Sequence, residues 1–275
     1  MDSEAVRDAI AEGTIGERIW FYTNYQCNLA CRYCLTSSSP HAPKRELDGA
    51  TILALADDAV RLGFAAFGVT GGEPFLRRDM PELVAALARR LPVVVLTNGT
   101  LFTERFVAQR LAQLANLPAA LQISVDAAQA TENDRFRGKG SHARALSGLA
   151  RLRARGLHVR IGASLIDDQP EDIAALRELA LSYGIEGEDQ VVRPIIARGA
   201  AIAAGLGETA GPADVPPELT ITVDGAFWSP ASPTITEGRL DVGERLTRTI
   251  RPLDSAVAAM LRYAAELPER TRKVA

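Results

Sequence analysis

Short apolar runs alternate with amphipathic stretches along the first 200 residues. Residues 19–24 (Ile-Trp-Phe-Tyr-Thr-Asn) are apolar and aromatic over a length too short for a helix, which predicts a buried strand. Ile52, Leu55, Ala56, Ala59 and Val60 then recur at helical spacing, with Asp48 placed to cap the start and Gly63 to take the left-handed position at the end. Residues 65–70 predict a second strand, and Asp79 opens a helix carrying Leu83, Val84 and Leu87, with Pro81 in its first turn. The β-branched run 93–97 predicts a strand covered on both faces, followed by a helix over about 103–115. Further strands are predicted at 121–126, 158–166 and 191–196, and further helices at 141–155 and from Pro170 to near Gly184. Six strand-then-helix units predict a parallel sheet with right-handed crossovers, either an open sheet or a barrel.

The pattern changes near residue 200. Residues 197–217 are rich in Ala, Gly and Pro, which predicts a linker or lid. Residues 219–223 and 226–228 flank Asp224-Gly225 and predict a β-hairpin. An amphipathic helix is expected over about 253–267, with a basic end at 269–275 that frays. The expected organisation is a helical extension (1–18), a core (19–200), and a linker with a C-terminal cap (201–275).

Composition narrows the function classes. The chain has 275 residues and a net charge of −3, and its arginines, including those at 151, 153 and 155, are offset by acids. With no basic stripe interleaved with aromatics, a nucleic-acid partner is not expected. No apolar run approaches the ~20 residues that span a bilayer, and no signal-peptide pattern opens the chain, so a cytoplasmic protein with no membrane partner is expected.

Every cysteine in the sequence falls in one loop: Cys27, Cys31 and Cys34, spaced C-x3-C-x2-C. Clustered thiolates select zinc or iron–sulfur chemistry. A cube normally takes four cysteines, so a cube here would leave one iron open to another ligand. The alternative is a zinc site completed by His41, although zinc loops pair C-x2-C with a second distant pair, which this sequence lacks. Gly71-Gly72-Glu73-Pro74 follows the second strand; the glycines allow close ligand approach and the carboxylate can accept from an ammonium group. Thr97-Asn98-Gly99 ends the third strand. Ser124 and Asp126 share one face of the fourth, where both need partners. Arg137, within 133–140 (Asn-Asp-Arg-Phe-Arg-Gly-Lys-Gly), can fork onto a carboxylate.

The cysteine spacing with Tyr33 before the last cysteine, the Gly-Gly-Glu after the second strand, the Thr-Asn-Gly, the Ser-x-Asp and the D-x-x-R-G-x-G segment together resemble the radical S-adenosylmethionine (radical SAM) enzymes. The resemblance implies an α/β fold, a partial (β/α)6 barrel with its chemistry at the C-terminal ends of the strands. It implies a [4Fe-4S] cluster held by Cys27, Cys31 and Cys34, with S-adenosyl-L-methionine (SAM) chelating the fourth iron. It further implies contacts to SAM: Gly71, Gly72 and Glu73 at the amino group, Asn98 nearby, Ser124 and Asp126 on the ribose and carboxylate side, Arg137 at the carboxylate and Tyr33 near the adenine. The activity implied is reductive cleavage of SAM to a 5′-deoxyadenosyl radical that abstracts hydrogen, driven by an external electron donor such as flavodoxin or ferredoxin. A non-enzymatic zinc or iron–sulfur protein is the alternative of another class.

Residues 220–230 resemble the opening hairpin of the SPASM extension, with Ser229 and Pro230 where a first auxiliary-cluster cysteine is expected. That implies a cluster-free cap, with Trp228 against the pocket or in the core, and redox-neutral chemistry (rearrangement, decarboxylation or epimerisation) or electron return to the single cluster. Because the first residues are too few for a leader-peptide-binding domain, the expected substrate partner is a small molecule, a sugar, nucleoside or amino-acid derivative in specialised biosynthesis. A peptide presented by a separate partner is the alternative.

Overall fold

The computed structural model describes residues 3–165 and 170–267, and the expected strand–helix units lie in sequence order within them. Strands β1 (Arg18–Tyr22), β2 (Ala66–Thr70), β3 (Val93–Thr97), β4 (Ala119–Ser124), β5 (His158–Leu165) and β6 (Gln190–Pro194) pair in parallel, each with the next. Helices α1 (Ser3–Ala11), α2 (Gly49–Leu62), α3 (Met80–Ala88), α4 (Glu104–Phe106), α5 (Ala130–Arg137), α6 (Ser141–Arg153) and α7 (Pro170–Ser182) accompany them. Asp48 caps α2 by accepting the Thr51 N–H at 2.8 Å, and Gly63 closes it at φ 97°.

Alternation along each strand separates two interiors. Ile19, Phe21, Phe67, Val69, Val93, Val95, Leu121, Ile123, Val159 and Ile161 pack in the main core. Trp20, Val94 and Ala120 point to the opposite face and form a second, small cluster with Leu96. On that inner face large residues lie over glycines: a Cβ at Gly68 would fall 2.2 Å from the Trp20 ring, and one at Gly162 would fall 2.4 Å from the Gln122 amide. This interdigitation fills the lower part of the barrel and leaves the C-terminal ends of the strands open.

The tail departs from expectation. It comprises α8 (Ala200–Ala204), β7 (Thr220–Thr222), β8 (Gly225–Phe227), β9 (Ile235–Thr236), β10 (Arg239–Leu240), β11 (Arg245–Thr247) and α9 (Leu253–Glu266). The β7–β8 hairpin forms as expected and joins the barrel sheet. β7 pairs in parallel with β1, Trp20 opposite Thr220 and Phe21 opposite Ile221, giving the sheet order β11-β8-β7-β1-β2-β3-β4-β5-β6. The free edge of β1 explains this, because its unpaired N–H and C=O groups need a partner: Trp20 N–H donates to Leu219 C=O at 2.8 Å. Glu218 adds a side-chain tie, accepting from Trp20 Nε1 at 2.6 Å. Trp228 is buried in the main core and donates its Nε1–H to Pro212 C=O.

Smaller differences follow from local chemistry. The helix expected over 103–115 is broken into α4, a π turn (Val107–Leu111) and a 3-10 turn (Ala112–Leu114). α5 and α8 form where a loop motif and a linker were expected. The expectations for Ile166 and for residues 269–275 lie outside the described residues.

Candidate active site

The loop after β1 carries all three cysteines, and its neighbours hold it from several sides. Arg32 N–H donates to Phe136 C=O at the end of α5, Ala200 N–H to Cys34 C=O, and Ile235 N–H to Leu35 C=O. The turn after β2 closes it from below: Gly72 N–H donates to Asn24 C=O at 2.8 Å and Glu73 N–H to Gln26 C=O at 2.9 Å. Glycine is required there, since a Cβ on Gly72 would fall 2.3 Å from the Gln26 carbonyl oxygen.

Cys27 is buried, and Cys31 and Cys34 are half-buried; all three thiols are free. Cys27 Sγ accepts from Leu29 N–H at 3.3 Å and from Asn98 Nδ2 at 3.7 Å, and Cys34 Sγ accepts from Ser38 N–H at 3.3 Å. Burial pushes the Cys27 thiol up to about 12, Glu73 adding to it, and pushes Cys31 up to about 11, with Arg137 opposing. Buried thiolates therefore need a compensating positive centre, which iron supplies. Among the described residues no three His, Cys, Asp or Glu side chains group as ligands of one metal ion, and His41 is exposed. In a [4Fe-4S] cube each thiolate would bind a different iron.

A cavity of about 760 Å³ opens at this end of the barrel. Cys27, Cys31, Cys34, Tyr33, Gly71, Gly72, Asn98, Ser124 and Arg137 all line it, so the structure brings together nine of the eleven expected site residues. Ser124 ends β4 with its residue half-buried. The volume and the convergence of thiols, glycine backbone and a guanidinium fit a cluster together with a SAM-sized ligand.

Glu73 and Asp126 face elsewhere. Glu73 is fully buried, its carboxylate accepting from Phe75 N–H (3.0 Å), Thr97 Oγ1 (2.8 Å) and Asn98 N–H (2.8 Å). Burial raises its pKa, and the Asn98 and Phe75 N–H groups oppose that rise. It locks the end of β2 to the end of β3, and what the Gly-Gly-Glu turn presents to the cavity is its glycines. Asp126 Oδ1 accepts from Ser164 N–H on β5 at 3.0 Å, while Oδ2 accepts from the Tyr33 hydroxyl and lies 3.3 Å from Arg137 Nη1. Arg137 also donates to the Tyr33 hydroxyl. Asp126 thus fastens two cavity residues without lining the cavity itself.

Asn133 and Asp134 carry roles that sequence reasoning missed. Asn133 Oδ1 accepts the Asp126 N–H at 3.0 Å. Asp134 accepts from His142 N–H at 2.9 Å, Ser141 Oγ at 3.0 Å and Gly140 N–H, folding the segment so that Arg137 turns inward. Burial acts to raise the Asp134 pKa, but the donors of His142, Gly140 and Ser141 outweigh it and hold the carboxyl at about 2. The available signal was the first letter of D-x-x-R-G-x-G.

The tail supplies the opposite wall through Thr209, Ala210, Asp214, Val215, Glu218 and the turn 229–231. Behind that turn, at the position where the SPASM resemblance implies an auxiliary-cluster cysteine, stands a polar network. Arg198 Nη2 donates to Glu244 Oε1 at 2.6 Å, Ser232 Oγ donates to Glu244 Oε2 at 2.5 Å, and Ser229 N–H donates to Ser232 Oγ at 3.0 Å.

Cysteine loop, glycine turn and parallel partial barrel together define the class. The Radical SAM superfamily profile matches residues 22–199, and the chain belongs to that family. It is an enzyme whose family uses a [4Fe-4S] cluster and SAM. Over 163 residues it is 33% identical to Fe-coproporphyrin III synthase of Methanosarcina barkeri, covering 58% of this chain and 40% of that protein. It is 34% identical over 164 residues to the PqqA peptide cyclase of Xanthomonas campestris, covering 59% of this chain and 43% of that protein. The chain thus spans less than half the length of these curated relatives. Among solved structures, Streptococcus suis SuiB bound to its precursor peptide SuiA superposes with a TM-score of 0.59 at 16% identity, over 77% of this chain and 47% of SuiB. That likeness bears out the barrel. The relative named for its peptide, and the peptide held by SuiB, overturn the expectation of a small-molecule substrate partner. The ground for that expectation, the short stretch before β1, says nothing of how a peptide reaches a barrel. Among the described residues no helix is long and apolar enough to cross a membrane.

Proposed function

We propose that this chain modifies a peptide by radical SAM chemistry at a single cluster. Cys27, Cys31 and Cys34 would hold the cluster, and SAM would lie against Gly71-Gly72, Asn98, Ser124, Arg137 and Tyr33. When bound, cluster and SAM would supply the radical chemistry that takes hydrogen from an unactivated C–H bond. The chain's own residues do the positioning. Asp126 and Tyr33 fix the Arg137 fork for a carboxylate, Glu73 holds Asn98 at the cavity, and the glycine turn lets a ligand meet backbone carbonyls. The apolar wall of Leu29, Leu35, Leu96, Ile195 and Val215 excludes water from the space beyond.

The observation that carries the peptide reading is the kinship of the core with PqqA peptide cyclase across 164 residues. The test is an anaerobic reaction with SAM, dithionite and deuterated synthetic peptides encoded beside the gene. Deuterium transfer into 5′-deoxyadenosine with a changed peptide mass is expected. SAM cleavage with no label from any such peptide would defeat the reading.

A further inference from the structure

One charged group on the cavity wall has no part in the site described above. Arg193 on β6 stands opposite Ser164 of β5 in the strand register, and both line the same cavity as the cysteines. Arg193 is exposed towards this space. The charged groups around it are Glu218, Arg18 and Arg160. Among the described residues none of them makes a hydrogen bond or ion pair with it. Glu218 is taken by Trp20 Nε1 at 2.6 Å and Arg18 Nη1 at 3.3 Å, while Arg160 donates to Glu188 C=O at 2.7 Å and pairs with Asp189. A guanidinium with five N–H donors, among other arginines and without a hydrogen-bond acceptor among the described residues, is completed by an anion. Its flat fork matches the two oxygens of a carboxylate, and the Ser164 hydroxyl beside it offers one more donor.

We propose that Arg193 and Ser164 form a carboxylate-binding subsite that seats an acidic group of the substrate peptide. The proposal rests on the peptide reading given above. An acidic side chain and a C-terminal carboxylate offer the same chemistry. The cavity lies between this arginine and the cysteine loop, so the subsite would orient the peptide and select the residue that meets the cluster end.

The test is site-resolved modification by phenylglyoxal, followed by mass spectrometry, on cluster-reconstituted protein saturated with SAM. Three probes at tens of millimolar are compared: N-acetylglutamate α-amide, N-acetylalanine and the neutral N-acetylglutamine amide. Modification of Arg193 is expected to slow about fivefold or more with one of the acids, which one identifying the source of the carboxylate. The neutral amide should have no effect, and exposed Arg239 should react equally in all arms. Arg193→Lys should bind the protecting acid about tenfold more weakly in equilibrium dialysis, and Arg193→Met should lose the preference for acid over amide. Equal modification in all arms would overturn the subsite, as would protection by SAM alone before any acid is added. If an acid protects Arg193 but no peptide transfers hydrogen in the preceding experiment, the peptide reading falls and the subsite stands.

Discussion

Arg137 Nη1 lies 3.3 Å from Asp126 Oδ2, and both side chains are over nine-tenths out of solvent. A buried pair of this kind adds little net stability, yet removing one member strands the other charge. Asp126→Asn should therefore cost about 3 kcal/mol of unfolding free energy. It should also weaken SAM binding, because Arg137 and Tyr33 lose the acceptor that fixes them. Urea unfolding and SAM titration check both, and a second substitution, Arg137→Met, should restore part of the stability without restoring SAM affinity.

Asp134 gives a pH-dependent expectation. Its folded pKa of about 2 lies below the ordinary aspartate value of about 3.9. The folded state thus favours the charged form, and the stabilisation it gives is full above about pH 4 and fades as pH falls towards 2. The stability difference between the native protein and Asp134→Asn should be constant from pH 5 to 7 and shrink below pH 4. A difference that grows on acidification would contradict the assignment.

Gly72→Ala places a methyl group 2.3 Å from a backbone oxygen of the cysteine loop, a contact that only movement relieves. After anaerobic reconstitution this variant should hold less than half the iron of the native protein while its circular dichroism keeps the native helix content. Gly156→Ala is the control, since its added Cβ meets nothing within 4 Å and its strained φ lies far from the loop.

The Arg198–Glu244 pair, with side chains 15% and 13% exposed, ties the turn 229–231 to the barrel. Glu244→Gln should destabilise the tail by about 3 kcal/mol and speed its cleavage in limited proteolysis, leaving iron content unchanged. Loss of the cluster in that variant would mean that the tail holds the cysteine loop more tightly than its contacts through Ser37 and Leu35 imply.

The sequence carried the barrel clearly where physics is local. The β-branched run Val93–Thr97 forms β3, and Asp48 with Gly63 bounds α2. α5 escaped notice because Ala130–Arg137 is polar around its circumference, so no apolar stripe announces it. The π turn at Val107–Leu111 escaped because its apolar spacing passes for an ordinary helix. β7 was legible as a strand but not as a neighbour of β1, since pairing across some 200 residues depends on which edge is left open. For the site, residue types indicated the cavity's membership, whereas the inward turn of Glu73 and the bracing role of Asp126 depend on donors contributed by other strands. Arg193 gave no signal, because its meaning lies in having no partner among the described residues, which only the folded register reveals.

The most direct test is anaerobic reconstitution with iron and sulfide, followed by SAM and dithionite. About four irons per chain and release of 5′-deoxyadenosine are expected, with both lost in Cys27→Ala, Cys31→Ala and Cys34→Ala. Tightly bound zinc, or intact SAM in the presence of a full and reduced cluster, would contradict the account.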